Sequence, residues 1–453
     1  MDNLNIYVLT ANCARTVIDV DLFSKHIFDA LPTSDVTFSP ALIALSLQEI
    51  APIAYSFLGE SYLDPYFDAF NQAVKQATSK RWRQPYVNVV QDHTGMTALM
   101  VFARADVTDQ ISWIDNAHVG FGVQEMGNKG AVGARLGYMI KGQKNTVDVT
   151  FVAAHLAPME DALEQRNLDW KSIVERLVFS QEGSDWQNQN GFDGEALDEA
   201  TVLLRDQGPS HRTKGRRTDL FAPNAYLFLA GDLNYRTSSK GPEKEDVARF
   251  PRLGVDRNHS SHYSNLFRED QLRREMQHGR SFHGLSEAPV DFPPTYKYSD
   301  AARKAAPLNL ENGQPEAESE WIWSNHRWPS WCDRILYLDS LPRTGEGRGV
   351  NPHVYTALPL FPQSDHRPVA LSVSIPLNPS HLSPETEQSD VRAMAPFAID
   401  PGWKSRRDAA RRKEVVVGLL AYLGLTWEGN GLLFASILVT LGAWVSFSSL
   451  WEA

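Results

Sequence analysis

Cysteine is nearly absent from this chain of 453 residues, which contains two, Cys13 and Cys332. Two thiols cannot build the disulfide framework that holds many small secreted domains together. Both lie in apolar, strand-like sequence without an obvious charged activator, which disfavours a redox or nucleophilic role. We therefore expect two free, buried thiols in a reducing compartment.

The sequence also lacks a secretory signal and an internal repeat. Its first residues, Met-Asp-Asn-Leu-Asn-Ile, contain no basic segment followed by a long apolar core, so we expect no signal peptide. Basic residues are fewer than acidic ones, and the formal net charge is -11. A general nucleic-acid binder needs cations to neutralise phosphates, so we expect no nucleic-acid partner, although a small basic pocket is compatible with this composition.

The longest uncharged run lies at the C-terminus, at residues 431–450. Its length matches the roughly 20 residues that a helix needs to span the hydrocarbon core of a membrane. Residues 404–414 hold six basic and two acidic side chains, which by the positive-inside rule would keep the preceding domain in the cytosol. The apolar run 415–425 is too short to span alone, and we interpret it as an interfacial helix or as half of a shallow hairpin.

The remaining chain predicts one α/β domain over residues 1–376. Short apolar runs typical of strands recur at residues 5–9, 41–47, 98–103, 131–136, 147–154, 225–230, 335–338 and 369–373. Helix-like stretches at 64–76 and 161–179 lie between some of them, an alternation that favours helices packed on sheets. Residues 181–220 and 301–320 are predicted loops, 377–414 a linker with the basic cluster, and 415–453 a membrane anchor.

Residues 231–236, Gly-Asp-Leu-Asn-Tyr-Arg, follow a buried strand and are the most informative segment. Side chains alternate along an extended backbone, so Asp232 and Asn234 are expected to face the same way. Gly231 allows the backbone to approach its neighbours closely. A carboxylate and an amide on one side suit a phosphate attacked by water, but a plain turn explains the same residues.

Three further segments place polar groups at strand ends. Glu49 follows the second apolar run and is able to ligate a hard cation, or it is a surface residue. Lys129 lies in the turn at residues 127–130 and is able to meet a phosphate, or the turn is a simple hairpin. His155 closes a strongly apolar strand, where a satisfied structural histidine is the commoner case.

Two segments near the end of the domain carry the remaining charges. Asp333 and Arg334 lie among large apolar residues, where charges are costly unless they are paired. They pair with each other, or one Asp orients His366, which follows Asp365 in the segment 364–368, while another carboxylate meets a metal.

Together and in this order, these segments resemble the inositol polyphosphate 5-phosphatases, within the superfamily that also holds DNase I-like nucleases. The resemblance covers roughly residues 4–375. The segments 231–236, 331–336 and 364–368 are specific in combination, and residues 292–298, Phe-Pro-Pro-Thr-Tyr-Lys-Tyr, separate the 5-phosphatases from the nucleases.

The resemblance implies a two-layered β-sandwich with helices outside and a Mg²⁺-dependent site. Glu49 would be the main Mg²⁺ ligand, with Asp365 close to the metal. Asp232 would position and deprotonate the attacking water with help from Asn234. Three further residues would contact the scissile phosphate, namely Asn12, His155 and His366. Asp333 would support His366.

A neighbouring phosphate, at the 4-position of the inositol ring, would be held by Tyr296 and Lys297, with Lys129 and Arg334 as further candidates. The chain departs from the family pattern at Ala11, where the family usually has Trp, and at Met159, where it often has a second His. The first departure concerns packing, whereas the second removes a phosphate contact.

The resemblance implies hydrolysis of phosphatidylinositol 4,5-bisphosphate to phosphatidylinositol 4-phosphate by a phosphoinositide 5-phosphatase. The C-terminal anchor suits a lipid substrate and resembles the small tail-anchored fungal members of the family. The absence of basic residues after the apolar run favours the endoplasmic reticulum. The alternatives are a nuclease or sphingomyelinase on the same fold, or a catalytically inactive membrane adaptor.

Overall fold

Two six-stranded β-sheets pack face to face, with helices on their outer sides. The computed structural model describes residues 3–32, 39–140, 146–180, 218–222, 225–312, 321–338, 349–377 and 390–451. The architecture confirms the predicted α/β sandwich.

The first sheet has the strand order β11-β12-β1-β2-β4-β3. Its centre is the parallel pair β1 and β2, and its other pairs are antiparallel. The strands are β1 Asn3–Asn12, β2 Leu42–Gln48, β3 Tyr86–Thr94, β4 Thr97–Arg104, β11 Asn351–Ala357 and β12 Val369–Pro376.

The second sheet has the order β5-β6-β7-β8-β10-β9 and repeats this plan. Its parallel pair is β7 and β8, again flanked by antiparallel neighbours. The strands are β5 Ile111–Gly120, β6 Gly130–Met139, β7 Thr146–His155, β8 Ala225–Asp232, β9 Ser286–Glu287 and β10 Asp333–Leu338.

Helices cover both outer faces. Those of the described residues are α1 Val20–His26, α2 Ile53–Leu58, α3 Asp64–Trp82, α4 Leu163–Arg176, α5 Tyr263–Phe267, α6 Gln271–Gln277, α7 Asp300–Glu311, α8 Trp403–Leu425 and α9 Trp427–Trp451. Apolar residues of α1 and α3 pack on the first sheet, and those of α4 pack on the second.

The interior strands of both sheets are largely apolar because both of their faces are covered. On β1, Ile6 and Val8 point between the sheets, whereas Tyr7 and Leu9 point outward toward the helices. A strand buried on both sides reads as a continuous apolar run, which explains why these strands were visible in the sequence.

Two expectations outside the sheets need comment. The loop predicted at 301–320 is wrong for its first half, because α7 occupies Asp300–Glu311, with Ser299 accepting a hydrogen bond from Ala302 N as its N-cap. Residues 313–320, and residues 181–217 of the other predicted loop, lie outside the described residues. Cys13 and Cys332 are free and buried, as expected, and burial raises the pKa of both thiols.

The C-terminal segment forms two consecutive helices. Residues 403–414, which the sequence analysis assigned to the linker, are the first half of α8, and α8 packs against α2. Helix α9 is long and apolar enough to cross a membrane, since an 18-residue stretch within Trp427–Ser448 has a mean hydropathy of 1.8 and none of that stretch is buried.

Candidate active site

Alternation along the strands brings polar residues together at one end of the sandwich. Residues two apart share a face, so the terminal inward-facing positions of five strands continue the apolar core between the sheets, four at the end of a strand and one at the start of β10. These positions are Asn12 on β1, Gln48 on β2, His155 on β7, Asp232 on β8 and Asp333 on β10. All five are buried.

A buried polar ladder supports this end of the sandwich. Thr10 Oγ1 donates to Gln48 Oε1 at 3.1 Å, and Gln48 Nε2 donates to Ser46 Oγ at 2.8 Å. Ser46 Oγ in turn donates across the sandwich to Ala230 O at 2.8 Å. These bonds hold the ends of the two parallel strand pairs at a fixed separation, so the residues that follow them meet.

Asp232 is the centre of the cluster. Its Oδ2 accepts from Asn12 Nδ2 at 3.1 Å and lies 3.4 Å from His155 Nε2 and 3.9 Å from His366 Nε2. Burial alone would raise the pKa of Asp232, but the charges of His366, His155 and Lys129 outweigh burial and lower the pKa below its usual range. Asp232 is therefore ionised at neutral pH.

His366 is held by a buried carboxylate, as the sequence analysis predicted. Its Nδ1 lies 2.9 Å from Asp333 Oδ2, which also accepts from Thr295 Oγ1 at 2.7 Å. Burial opposes the charged imidazolium, but Asp333, Asp232 and Asp365 raise the pKa of His366 to about 9. The ring is thus protonated at neutral pH, with Nε2 directed toward Asp232 and Asp365.

His155 has the opposite electrostatic environment. The Lys129 ammonium contacts its Nε2, and burial together with that charge lowers the pKa of His155. Burial also lowers the pKa of Lys129, although Asp232 and Glu49 partly counteract this. The structure therefore places Lys129 with His155, on the side of the site that also holds Glu49.

Glu49 follows β2 in a turn where its φ is 48°. Arg15 Nε donates to its Oε2 at 2.8 Å, and Arg15 N donates to its backbone oxygen at 2.7 Å. Burial would raise the pKa of Glu49, but His155, Lys129 and Arg15 lower it. Glu49 is an ionised carboxylate at the rim of the site.

Gly231 fulfils the predicted close approach, whereas Asn234 departs from simple alternation. A Cβ at position 231 would lie 1.9 Å from Ala154 O. The strand ends at Asp232, and Asn234 has a φ of 57°, so the two side chains do not follow one extended strand. Asn234 Nδ2 donates to Leu156 O at 3.1 Å, and its Oδ1 accepts from Arg236 Nη2 at 2.6 Å.

Tyr296, Arg236 and Lys297 form a second cationic part of the site, next to His366. The Tyr296 ring packs on the His366 ring with centroids 4.4 Å apart, and Arg236 lies over the Tyr296 ring at 4.5 Å. The Lys297 ammonium pairs with Asp365 Oδ2. Burial would raise the pKa of Asp365, but His366 and Lys297 lower it, so both members of the Lys297–Asp365 pair are charged.

Arg334 does not line the site, which corrects its assignment to substrate binding. On β10 the side chain of Asp333 points inward and that of Arg334 outward, and Arg334 is 0% exposed. It donates to Asp270 Oδ2 at 3.0 Å and also pairs with Glu287. Asp333 and Arg334 therefore do not pair with each other, because each has its own partner.

The residues present fit a hard divalent cation. Asp232 Oδ1 is buried and has no hydrogen-bond partner among the described residues, which is costly for an ionised oxygen. Ligand atoms of Asp232, Asp333 and His366 lie within 4.8 Å of one another. Since Asp333 and His366 are bound to each other, the oxygen donors of Asp232 and Glu49 are the better match to such an ion.

Sequence reasoning missed three supporting residues. Thr295 holds Asp333, Arg15 holds Glu49, and Arg236 holds both Asn234 and Tyr296. Thr295 and Arg236 lie inside segments that the motif pattern had singled out, so their position beside predicted site residues was the available signal. Arg15 had no comparable signal, because its contact with Glu49 joins residues 34 positions apart.

Comparisons with known proteins agree with this geometry. The chain matches the family model described as Endonuclease/Exonuclease/phosphatase family 2 over residues 9–372. Type I inositol polyphosphate 5-phosphatase 13 of Arabidopsis thaliana is 30% identical over 386 residues, which are 81% of this chain and 30% of that protein. Type IV inositol polyphosphate 5-phosphatase 9 of the same plant is 27% identical over 387 residues, covering 81% of this chain and 76% of that protein.

A solved structure shares the fold. The inositol polyphosphate 5-phosphatase domain of SPsynaptojanin, in complex with inositol (1,4)-bisphosphate and calcium ion, aligns with a TM-score of 0.56 at 21% identity, over 91% of this chain and 90% of that one. The chain spans only 29%, 30% and 24% of the length of three type I and type II plant relatives. The family match nevertheless extends over most of the chain and includes every residue from Asn12 to His366, so this protein belongs to Endonuclease/Exonuclease/phosphatase family 2.

Proposed function

We propose that this protein is a Mg²⁺-dependent phosphoinositide 5-phosphatase that converts phosphatidylinositol 4,5-bisphosphate to phosphatidylinositol 4-phosphate. The observation that carries the proposal is the arrangement around Asp232, where an amide and two imidazoles surround one carboxylate oxygen and the other has no described partner. The names of the curated relatives support 5-phosphatase chemistry. The solved relative binds an inositol that retains its 4-phosphate.

Glu49 would be the principal ligand of the cation, with Asp232 beside it and Asp365 close by. When bound, Mg²⁺ neutralises charge on the phosphate oxygens and makes phosphorus easier to attack. Carboxylate oxygens suit a hard divalent cation, and we propose that this cation is Mg²⁺.

Asp232 would orient the attacking water and accept its proton. Its lowered pKa makes it a weak base, so the proton transfers late, after the water oxygen has begun to bond to phosphorus. The phosphate leaves the 5-oxygen of the ring, which takes up a proton. Asn234 would act beside Asp232, with its amide already fixed by Leu156 and Arg236.

The two histidines would contact the scissile phosphate in different ways. His366 is protonated, and its Nε2–H is suited to donate to a phosphate oxygen that gains charge. Neutral His155 and the Lys129 ammonium would contact the same group from the other side, and Asn12 would join them. We place Lys129 at the scissile phosphate because it contacts His155.

Tyr296 and Lys297 would select the substrate. A hydroxyl and an ammonium beside His366 are suited to a second phosphate next to the one being cut. Binding that 4-phosphate would fix the ring so that the 5-phosphate faces Asp232.

Helix α9 would anchor the enzyme at the surface that contains its lipid substrate, with the catalytic domain in the cytosol. Confinement to that surface raises the effective substrate concentration. Four basic residues of α8 are exposed, Lys404, Arg406, Arg412 and Lys413, although Arg406 pairs with Glu125 and Asp400. A basic side chain near the membrane surface adds about 1 kcal/mol of attraction to anionic headgroups. We propose the endoplasmic reticulum as the membrane.

Phosphate release tests the function. Full-length protein would be assayed with short-chain phosphatidylinositol 4,5-bisphosphate and phosphatidylinositol 4-phosphate, with Mg²⁺ or with EDTA, and Asp232→Ala is the inactive control. We expect Mg²⁺-dependent release from the bisphosphate alone. Equal turnover of both lipids, or hydrolysis of DNA or sphingomyelin instead, would refute the proposal, and no turnover of any substrate would indicate an inactive adaptor.

A further inference from the structure

Helix α8 packs on the catalytic domain through a narrow face. Ala410, Glu414 and Gly418 are its buried residues and lie four apart, on one side of the helix. A Cβ at Gly418 would lie 2.9 Å from Phe57 Cβ, so this glycine allows close contact with α2. The charged member of the face, Glu414, is 6% exposed.

Glu414 bonds to a backbone group near the active site. Its Oε1 accepts from Gly127 N at 2.7 Å, and its Oε2 accepts from Arg411 Nη1 at 3.2 Å. Arg411 also donates to Phe57 O at 2.7 Å and to Leu58 O at 3.1 Å. These two carbonyls lie at the C-terminal end of α2, where backbone oxygens lack helical partners.

Gly127 connects to both halves of the active site. It lies two residues before Lys129, in a turn that is closed by a backbone hydrogen bond. In that bond Lys129 O accepts from Phe121 N at 3.0 Å. Gly127 O accepts from Met96 N at 2.9 Å, and Met96 O accepts from Ile50 N at 3.2 Å, beside Glu49. Glu414 therefore holds the residue at which the Lys129 turn and the Glu49 segment are joined.

We propose that Glu414 is a positioning residue that holds the Lys129 turn in place, so that α8 belongs to the support of the active site as well as leading to the membrane anchor. This inference rests on the proposed phosphatase function. Without the carboxylate, Gly127 N would lose a buried charged acceptor, and the turn would be free to shift Lys129 away from His155. Loss of such a bond is comparable to a tenfold change in binding.

The test uses the full-length chain in detergent with a short-chain, soluble phosphatidylinositol 4,5-bisphosphate, so that membrane recruitment does not contribute. Glu414→Ala is expected to raise KM about tenfold with little change in kcat. Glu414→Gln should stay near wild type, because its amide oxygen still accepts from Gly127 N. Asp408→Ala removes an exposed carboxylate of the same helix and should have no effect.

A double-mutant comparison separates positioning from general stability. In a Lys129→Met background, Glu414→Ala should raise KM no further, since the group that it positions is gone. An equal rise in both backgrounds, an unchanged KM in active Glu414→Ala, or a Glu414→Gln that behaves like Glu414→Ala would overturn the inference. A wild-type protein without turnover would refute the proposed function itself.

Discussion

Asp333→Asn should weaken catalysis by removing the charge that keeps His366 protonated. Among the groups that raise the pKa of His366 to about 9, Asp333 is the strongest, with its Oδ2 2.9 Å from the ring nitrogen. An imidazole with that pKa is about 99% protonated at pH 7, whereas one at the ordinary value of about 6.5 is about one quarter protonated. Protonation alone therefore accounts for about a fourfold loss of activity.

Orientation adds a larger effect. A carboxylate holds Nδ1–H and leaves Nε2 toward the phosphate, whereas an amide is also able to donate to Nδ1 and stabilise the wrong tautomer. Loss of one preorganised donor to the transition state costs about 3–4 kcal/mol, so we expect kcat to fall by about 10² to 10³.

Phosphate release from soluble phosphatidylinositol 4,5-bisphosphate at pH 5.5 and pH 7 would measure both effects. The ratio of wild-type to mutant kcat should shrink at pH 5.5, since acid restores the imidazolium of the mutant. In a His366→Ala background the Asp333→Asn change should cost little more. A kcat within about threefold of wild type, or an equal loss in the His366→Ala background, would refute the assigned role.

Four further outcomes are expected. The raised pKa of His366 stabilises the metal-free fold fully below pH ~6.5, and this stabilisation is lost as pH rises through about 9. Thermal melts should therefore show that Tm falls between these two pH values. The fall should be larger in the wild type than in Asp333→Asn. Arg334→Met should lower the free energy of unfolding by about 3–5 kcal/mol in urea titrations, because two buried acidic partners lose their cation; an unchanged midpoint would contradict this. Lys297→Met should raise KM for the 4,5-bisphosphate lipid but not for phosphatidylinositol 5-phosphate, and equal effects on both would remove Lys297 from 4-phosphate recognition. Deleting residues 427–453 should move the protein from the membrane pellet to the supernatant in fractionated cells, and continued pelleting would show that another segment binds the membrane.

The interior of both sheets was predictable, and their edges were not. All eight apolar runs in the sequence correspond to interior strands, from β12 to β4 in the first sheet and from β6 to β10 in the second. The four strands without such a run, β3, β5, β9 and β11, are the sheet edges. Three of these edge strands mix buried and half-buried positions, and β9 has only two residues, so none shows a continuous apolar signal.

Strand ends and side-chain alternation were enough to predict part of the site. Asp232, His155 and Asn12 each end a strand that was visible as an apolar run, and the structure brings them together. Alternation within β10 would also have separated Asp333 from Arg334, since Ile335 shares the inward face with Asp333. Asn234 lay beyond that reasoning, because its positive φ ends the period of two just after Asp232.

The contacts of α8 show why the linker could not be recognised as structure. Glu414 and Arg411 look like members of a solvated basic cluster in the sequence, and their partners, Gly127 and Phe57, are backbone groups some 300 residues away. A backbone partner leaves no trace in residue type, so no pattern of side chains reveals the contact. Helix α8, which leads directly into the candidate membrane-spanning helix α9, is therefore bonded to the turn that contains Lys129. On this arrangement, the segment that we propose brings the enzyme to its lipid would also help to hold the side of the active site that contains Lys129.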